Sequence, residues 1–360
     1  MNKEVDVCIV GAGPGGALLT YLLAKKDISV LLLERTGQIA KAFRGEHINE
    51  EGEAVLKKHN LFHAVEKLGL LRMEQLEYWK NGQLIKTILP SPAAGHLGIH
   101  VPQAHLLQAI LDAAQAYESF QYCLNSRVTD LLQDTDGHYT GVRAVHDREE
   151  FTISSKLIVG ADGRYSTIRK KAHIKTDVRK HGYDLLWARI PAPPGWLPSI
   201  KMTLVREMQV SLFSQTNGYI QIGWNIPVGS YSLLQKQPFS PFVEALIEAF
   251  PELTETIDQY ITSWRDFVLL DVFSSQAENW GHNGLALIGD AAHAMTPTGA
   301  FGLNSAMKDA DILAELLKKQ TIDHINLLAC ATERKQEIEK LQALQIEKEQ
   351  GFSSQFAIMG

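Results

Sequence analysis

The sequence predicts an α/β fold: a mostly parallel sheet with helices on its faces, an inserted antiparallel sheet, and helices at the C-terminal end. Three observations carry that prediction. "VDVCIVG" (5–11) is continuously apolar, as a strand buried on both faces is, and "ISVLLLE" (28–34) repeats the pattern one helix length later. From about 183 to 228 short runs of strand-forming residues alternate with turn residues, the mark of antiparallel strands. Near the end another apolar run, "GLALI" (284–288), leads directly into an aspartate, a loop of small residues and a new helix.

Taken in order, the first strand is followed by a helix from about Pro14 to Lys25 and then by the second strand, which closes a β-α-β unit. "NEEGEAVLKKHN" (49–60) opens on an asparagine cap and an acidic first turn, so it reads as a short helix. In "LEYWKNGQLIKTIL" (76–89) the Asn81-Gly82 pair sits between two strand-like arms and marks a hairpin. "QAHLLQAILDAAQAYE" (103–118) spaces its apolar residues as a helix does. Residues 126–160 read as three strands with a turn at Asp136-Gly137, ending in "KLIVGADG". The alternating block "YDLLWARI", "IKMTLV", "MQVSLFS" and "YIQIGWNIP" follows, interrupted by "PAPPGWLP". Two helical stretches at about 240–260, a strand near 267–273 and the terminal helices complete the chain. The polar stretch 323–350, containing "ERKQEIEKLQALQIEKEQ", reads as a solvated outer helix or a contact in a homodimer rather than part of a site.

Composition narrows the function. A formal net charge of −6 leaves no basic footprint for nucleic acid or anionic lipid. No apolar run is as long as a membrane span, and "MNKEVDVCIVGAG" enters a strand at once, so a soluble cytoplasmic protein without a signal peptide is expected. Cys8, Cys123 and Cys330 are far apart in sequence, which argues against a disulfide framework or a zinc site. His47, His96, His100 and His105 show no metal-ligand spacing, and no metal is expected.

The chemistry sits in glycines and carboxylates. In "GAGPGG", Gly11 makes the turn out of the strand, Gly13 lets backbone approach a pyrophosphate, and Gly16 permits close helix–strand packing. The helix that opens at Pro14 and Gly15 offers unpaired N–H groups and a positive dipole end to phosphate. Glu34, ending the second strand, is placed to accept hydrogen bonds from ribose hydroxyls, which fits the adenosine half of either FAD or NAD. A glycine-rich turn in an unrelated α/β protein is the plain alternative.

Two later motifs decide between these. "LIVGADGRYSTIRKKA" (157–172) ends a strand in Asp162-Gly163 and continues through Arg164, Ser166 and Arg169, and "GLALIGDAAHAMTPTGAFGLN" (284–304) ends another in Gly289-Asp290. Together with the glycine fingerprint, in this order, they resemble the class A flavoprotein monooxygenases, the para-hydroxybenzoate hydroxylase group. The resemblance implies a Rossmann-like FAD-binding domain of the glutathione reductase type from 1–75, 98–180 and 268–320, a substrate domain from 76–97 and 181–267, and a C-terminal helical segment from 321–360. It further implies that NADPH or NADH reduces FAD and that O2 is captured as a flavin C4a-hydroperoxide. One oxygen is then passed to an aromatic substrate, phenolic or polycyclic. The flavin carries the reaction, so no catalytic side chain is assigned. Oxygen transfer to nitrogen or next to a ketone is left open.

The same resemblance assigns cofactor contacts. Asp290 would meet a ribityl hydroxyl, Asp162 belongs to the second motif, and Pro297 would lie beside the reacting face of the flavin. Gly299, Gly302, Leu303 and Asn304 would bring backbone and a helix N-terminus to the isoalloxazine edge. Arg44 in "FRGEH" would reach the pyrophosphate, Arg35 would lie near the adenosine, Gln103 near the ribityl chain, and Val128 would touch adenine through backbone. His293 is expected to pack or bond locally. In "VSLFSQTNGYIQI" the Ser214-Gln215 pair matches the family's benzoate-binding strand, but Thr216 stands where that strand carries a carboxylate-binding arginine. A neutral phenol or polycyclic ring is therefore expected, with Phe213, Gln215, Tyr219 and Gln221 sharing one face at period two. Rival readings are a flavin-dependent halogenase, weakened by Ile222 at a position where that family has tryptophan and by Lys80 on the hairpin, and an FAD-dependent reductase of the same fold.

Overall fold

The computed structural model describes residues 2–38, 46–319, 322, 327–352 and 356. Its main sheet has a parallel core in the order Leu285–Leu287, Glu149–Gly160, Asn2–Val10, Val30–Leu33, Phe120–Cys123. Hydrogen bonding within the sheet aligns the carboxyl ends of four strands: Leu33 pairs with Val10, Val10 with Gly160 and Gly160 with Leu287. The loop after each of these strands therefore opens on the same edge, where ligands of open parallel sheets bind. Tyr139–His146 joins the early part of Glu149–Gly160 antiparallel and carries Ser126–Gln133 on its other side.

The helix Pro14–Ala24 is apolar all round, and every residue from Gly15 to Ala24 is buried. That suits a position between the sheet and the helices Gln103–Ala114 and Phe301–Lys319, with which it shares one core. The helix Glu50–Lys58 has the expected cap: the Asn49 side chain accepts from the Gly52 N–H at 3.0 Å.

A second sheet of seven strands stands apart, in the order Val268–Leu270, Tyr183–Pro191, Tyr219–Pro227, Met208–Gln215, Ser199–Val205, Gln75–Lys80, Gln83–Ile88. The hairpin between the last two turns at Asn81 (φ 46°) and Gly82 (φ 79°), as a two-residue loop matching strand twist requires. One face of this sheet packs Ile222, Trp224 and Leu212 against the helices Ser240–Ala249 and Thr254–Tyr260. Its other face presents Trp187, Phe213, Gln215 and Gln221 to a cavity shared with the first sheet. Gly223 lies opposite Trp187, and a Cβ there would meet the indole at 2.6 Å, so the missing side chain gives the ring its place.

A small sheet, absent from the sequence-based expectations, pairs Ile99–His100 with His47–Ile48 and Leu71–Arg72. It sets His47 directly across from His100.

Candidate active site

A single cavity of about 510 Å³ runs from the aligned strand ends to the second sheet. At its first end Gly11 has φ +106°, and a Cβ there would come within 2.4 Å of the Ala161 carbonyl oxygen. The chain can make this turn tightly only without a side chain. Beside Gly13 a Cβ would meet nothing within 4 Å, so the backbone here faces open space. The helix that follows has no side-chain cap and no acidic residue in its first turn, which leaves its N–H groups and dipole free for an anion. Glu34 accepts from the Ala12 N–H at 3.0 Å with one oxygen and from the Thr36 N–H at 2.9 Å with the other. The carboxylate is thereby fixed at the cavity wall, together with Arg35 and Val128.

The two aspartate motifs are tied to each other. Asp162 caps the next helix, accepting from Ser166 Oγ and from the Thr167 and Ile168 N–H groups. Burial drives its pKa above the usual carboxylate range, against these hydrogen bonds. Arg169 donates to the Ala291 carbonyl at 2.6 Å and to the Arg164 carbonyl at 2.9 Å, while Arg164 sits 3.6 Å from the Asp290 carboxylate. Asp290 itself remains about one-third exposed, at the cavity wall.

Behind Asp290 lies a buried polar hub. Asp309 accepts from the Gly289 N–H at 2.9 Å, lies 2.6 Å from His293 Nε2, and accepts from Arg334 Nε at 2.9 Å. Burial alone would raise the Asp309 pKa; His293 and Arg334 outweigh it and hold the group at about 2. His293 is thus a local structural partner, as the sequence suggested.

The loop 294–300 is gripped by the C-terminal helix Leu327–Gln350. Gln342 donates to the Ala294 carbonyl at 3.0 Å, and Gln345 donates to the Thr296 and Thr298 carbonyls at 2.8 and 2.6 Å. Glu349 accepts from the Thr296 and Thr298 hydroxyls at 2.8 Å and from Tyr183 at 3.0 Å, and its other oxygen lies 2.6 Å from His181. A helix expected to be solvated therefore lays a polar stripe on the loop beside the cavity. The signal was Gln and Glu at 342, 345 and 349, spaced three and four apart as one helix face is.

The positions predicted from sequence are brought together unevenly. Gly11, Gly13, Pro14, Gly15, Gly16, Glu34, Arg35, Gln103, Val128, Asp162, Asp290, Pro297, Gly302 and Leu303 all line the cavity. Gly299 and Asn304 are not among its lining residues. Asn304 is buried and donates to the His47 and Ala300 carbonyls while accepting from the Asn49 N–H, so it ties the helix start to the small sheet. Gly299 has φ +75° and Ala300 +54°, a strained entry to the helix Phe301–Lys319. Arg44 lies outside the described residues. On the second sheet Phe213, Gln215 and Gln221 line the cavity, whereas Tyr219 does not and instead stacks under Arg189 at 4.2 Å. Sequence reasoning missed Trp187, His47, His100 and Glu46, all cavity-lining. Burial lowers His47 to about 3, helped by His100 and His96, and lowers His100 to about 4, so both rings are neutral near pH 7.

A strand-turn-helix cradle of bare backbone, an acidic residue on the neighbouring strand and a long cavity reaching a second sheet define a dinucleotide-binding oxidoreductase. Comparison with known proteins narrows the class. The family model described as "FAD binding domain" matches residues 4–340. The 6-methylpretetramide 4-monooxygenase of Streptomyces rimosus is 31% identical over 96% of this chain and 84% of its own length. The kynurenine 3-monooxygenase of Anopheles gambiae is 27% identical over 93% of this chain and 72% of its own. The structure of Pseudomonas aeruginosa PqsL shares the fold, with a TM-score of 0.81 at 19% identity, covering 98% of this chain and 97% of that one. The chain belongs to the FAD-binding-domain family of class A flavoprotein monooxygenases. It is an FAD-dependent oxidoreductase that takes its electrons from NAD(P)H, and the comparisons favour monooxygenation over the halogenase and reductase readings. Among the described residues no helix is long and apolar enough to cross a membrane, and no group of three or more His, Cys, Asp or Glu is placed to hold a metal.

Proposed function

We propose that the enzyme hydroxylates a phenolic or polycyclic aromatic substrate at the second-sheet end of the cavity. The observation that carries this reading is the continuity of that cavity from the glycine cradle to a wall built of Trp187, Phe213 and Leu270. The residues present fit FAD: open backbone at Gly13, uncapped helix N–H groups and a fixed Glu34 carboxylate suit an adenosine diphosphate. Asp290 suits a ribityl hydroxyl, with Gln103 near the same chain. Pro297, Gly302 and Leu303 suit the ring edge. The bound cofactor supplies the redox chemistry that moves electrons from NAD(P)H to O2.

The chain's own part is to position, to exclude water and to stabilise charge. The helix Phe301–Lys319 begins beside the cavity, so its N-terminal N–H groups and dipole favour negative charge there. Gln345 and Glu349 hold the Thr296–Thr298 segment in one conformation. Trp187 and Phe213, 5.9 Å apart, close the aromatic end against water, which would divert reduced oxygen to H2O2. Thr216 in place of a cationic residue supports a neutral ring rather than a benzoate. The division into an FAD-binding part and a substrate part then follows the two sheets. Dependence on NAD(P)H supports a cytoplasmic setting, and a homodimer through the outward face of the C-terminal helix suits its polar sequence.

The test is anaerobic reduction of the bound flavin by NADPH and by NADH, alone and with a panel of phenols and polycyclic aromatics. Acceleration by one class of aromatic is expected. No reduction by either nucleotide under any addition would overturn the reading.

A further inference from the structure

Toward the second sheet, three cavity-lining residues keep buried polar atoms with no hydrogen-bond partner in the protein, His100 Nε2, Gln215 Oε1 and His47 Nδ1, whereas a fourth such atom, Arg164 Nε at the cradle end, lies 3.6 Å from the Asp290 carboxylate. Buried polar groups are nearly always hydrogen-bonded, so three orphans around one cavity point to what it holds. The His100 ring is only 1% exposed, and its Nδ1 lies 2.6 Å from the Ser214 carbonyl oxygen. A carbonyl can only accept, so Nδ1 carries the ring proton and Nε2 is left with a lone pair. Burial keeps the ring from taking a second proton near neutrality, with a pKa of about 4. Gln215 is 7% exposed; its amide nitrogen donates to Gln221 Oε1 at 3.4 Å, which leaves its own oxygen as an acceptor. His47 crosses the His100 ring edge-on at 5.1 Å between centroids and fixes that ring from the side. No lysine or arginine is among the described cavity residues from the small sheet and the second sheet.

We propose that His100 Nε2 and Gln215 Oε1 form a receptor for a protonated hydroxyl on the aromatic substrate, selecting a neutral phenol over its ether or a carboxylate. This rests on the aromatic-hydroxylase reading and adds the group by which the ring is recognised. The phenolic O–H donates to an acceptor that has no other partner. A methyl ether leaves that acceptor unsatisfied, and a carboxylate brings acceptors against acceptors. The hydrogen bond also fixes which ring carbon faces the flavin end of the cavity, so His100 is a positioning and specificity residue.

The experiment measures binding to the oxidised holoenzyme, without turnover, by the change in flavin absorbance. The probes are 1-naphthol, 1-methoxynaphthalene and 1-naphthoate, used with the wild type, His100→Phe and Gln215→Leu. Wild type is expected to bind the naphthol about tenfold tighter than the ether, and the naphthoate weakest. His100→Phe should bring the naphthol down to the affinity of the ether while leaving the ether's own affinity within about twofold. Gln215→Leu should narrow the same gap by a smaller factor. Retained FAD in each variant reports folding. A wild type that binds the ether or the naphthoate as well as the naphthol, or none of the three, contradicts the proposal even if His100→Phe fails to fold. Unchanged discrimination in a folded His100→Phe also contradicts it. The flavoenzyme reading is judged separately, by reduction of the flavin with NADPH.

Discussion

The two ends of the cavity are built on opposite plans. At the cradle end the chain satisfies its own carboxylates: Glu34, Asp162 and Asp309 each have donors from backbone or neighbouring side chains. At the second-sheet end the polar atoms of His47, His100 and Gln215 are left over. The first arrangement is rigid before any ligand arrives, and the second is completed by one. A cofactor that stays and a substrate that comes and goes ask for this difference: preorganisation where binding is permanent, unmet hydrogen bonds where selection occurs.

The contrast would break most visibly at Asp309. Replacing it by Ala takes the buried carboxylate away from Arg334, which keeps only Glu337, removes the partner of His293 Nε2 and frees the Gly289 N–H. A loss of about 3–5 kcal/mol is expected, read as a lower thermal midpoint and poor retention of FAD. Glu34→Ala is next. The fold should survive, but FAD affinity should fall by about ten- to a hundredfold in a fluorescence titration, since charge-assisted bonds are lost. Stability falling along with affinity would mean that Glu34 belongs to the scaffold.

Glu349→Gln tests whether the C-terminal helix belongs to the site or only to the fold. The variant is expected to melt within a few degrees of wild type yet release more H2O2 per NAD(P)H consumed, because the Thr296–Thr298 segment loosens. Equal H2O2 yields would confine the helix to a structural role.

A pH-dependent effect is expected at Glu46, a cavity-lining carboxyl raised by burial from 4.5 to about 7, against the opposing pull of Arg189. The folded state holds this proton over a range where the unfolded chain has lost it. Stability therefore falls as pH rises from about 4.5 to about 7, and the cost stays above that window. Glu46→Gln should flatten the decline in thermal midpoint across this range, and an unchanged slope would contradict the assignment.

How much of this was legible in the sequence follows the same division. The cradle is written in short contiguous strings, since a tight turn, a close backbone approach and a helix N-terminus each constrain adjacent residues: Gly11 to Gly16, Asp162-Gly163, Gly289-Asp290. Most strands of both sheets were readable from periodicity for the same local reason, but the four-residue edge strand Phe120–Cys123 was not. The substrate end draws on residues near 47, 100, 187 and 213–221, which only the folded chain assembles. Tyr219 shows the limit of period-two reasoning. It shares a face with Gln221, but it lies opposite Gln215 at the strand end, beyond the cavity. The small sheet that sets His47 against His100 is two residues long on each strand, too short to leave a pattern. The C-terminal helix was misjudged because part of its inward face is polar: besides packing Ile338 and Leu341 on the core, it bonds to loop carbonyls and hydroxyls through Gln342, Gln345 and Glu349.

On the proposed function, one cavity couples a flavin at the cradle to an aromatic ring at the second sheet. Turnover under isotopically labelled O2 with the aromatic that best accelerates NAD(P)H oxidation tests it most directly, with product analysed by mass spectrometry. One labelled oxygen atom is expected in the product for each NAD(P)H consumed, with little H2O2. Product oxygen drawn from water, or NAD(P)H consumption fully balanced by H2O2 with every aromatic tried, would contradict it.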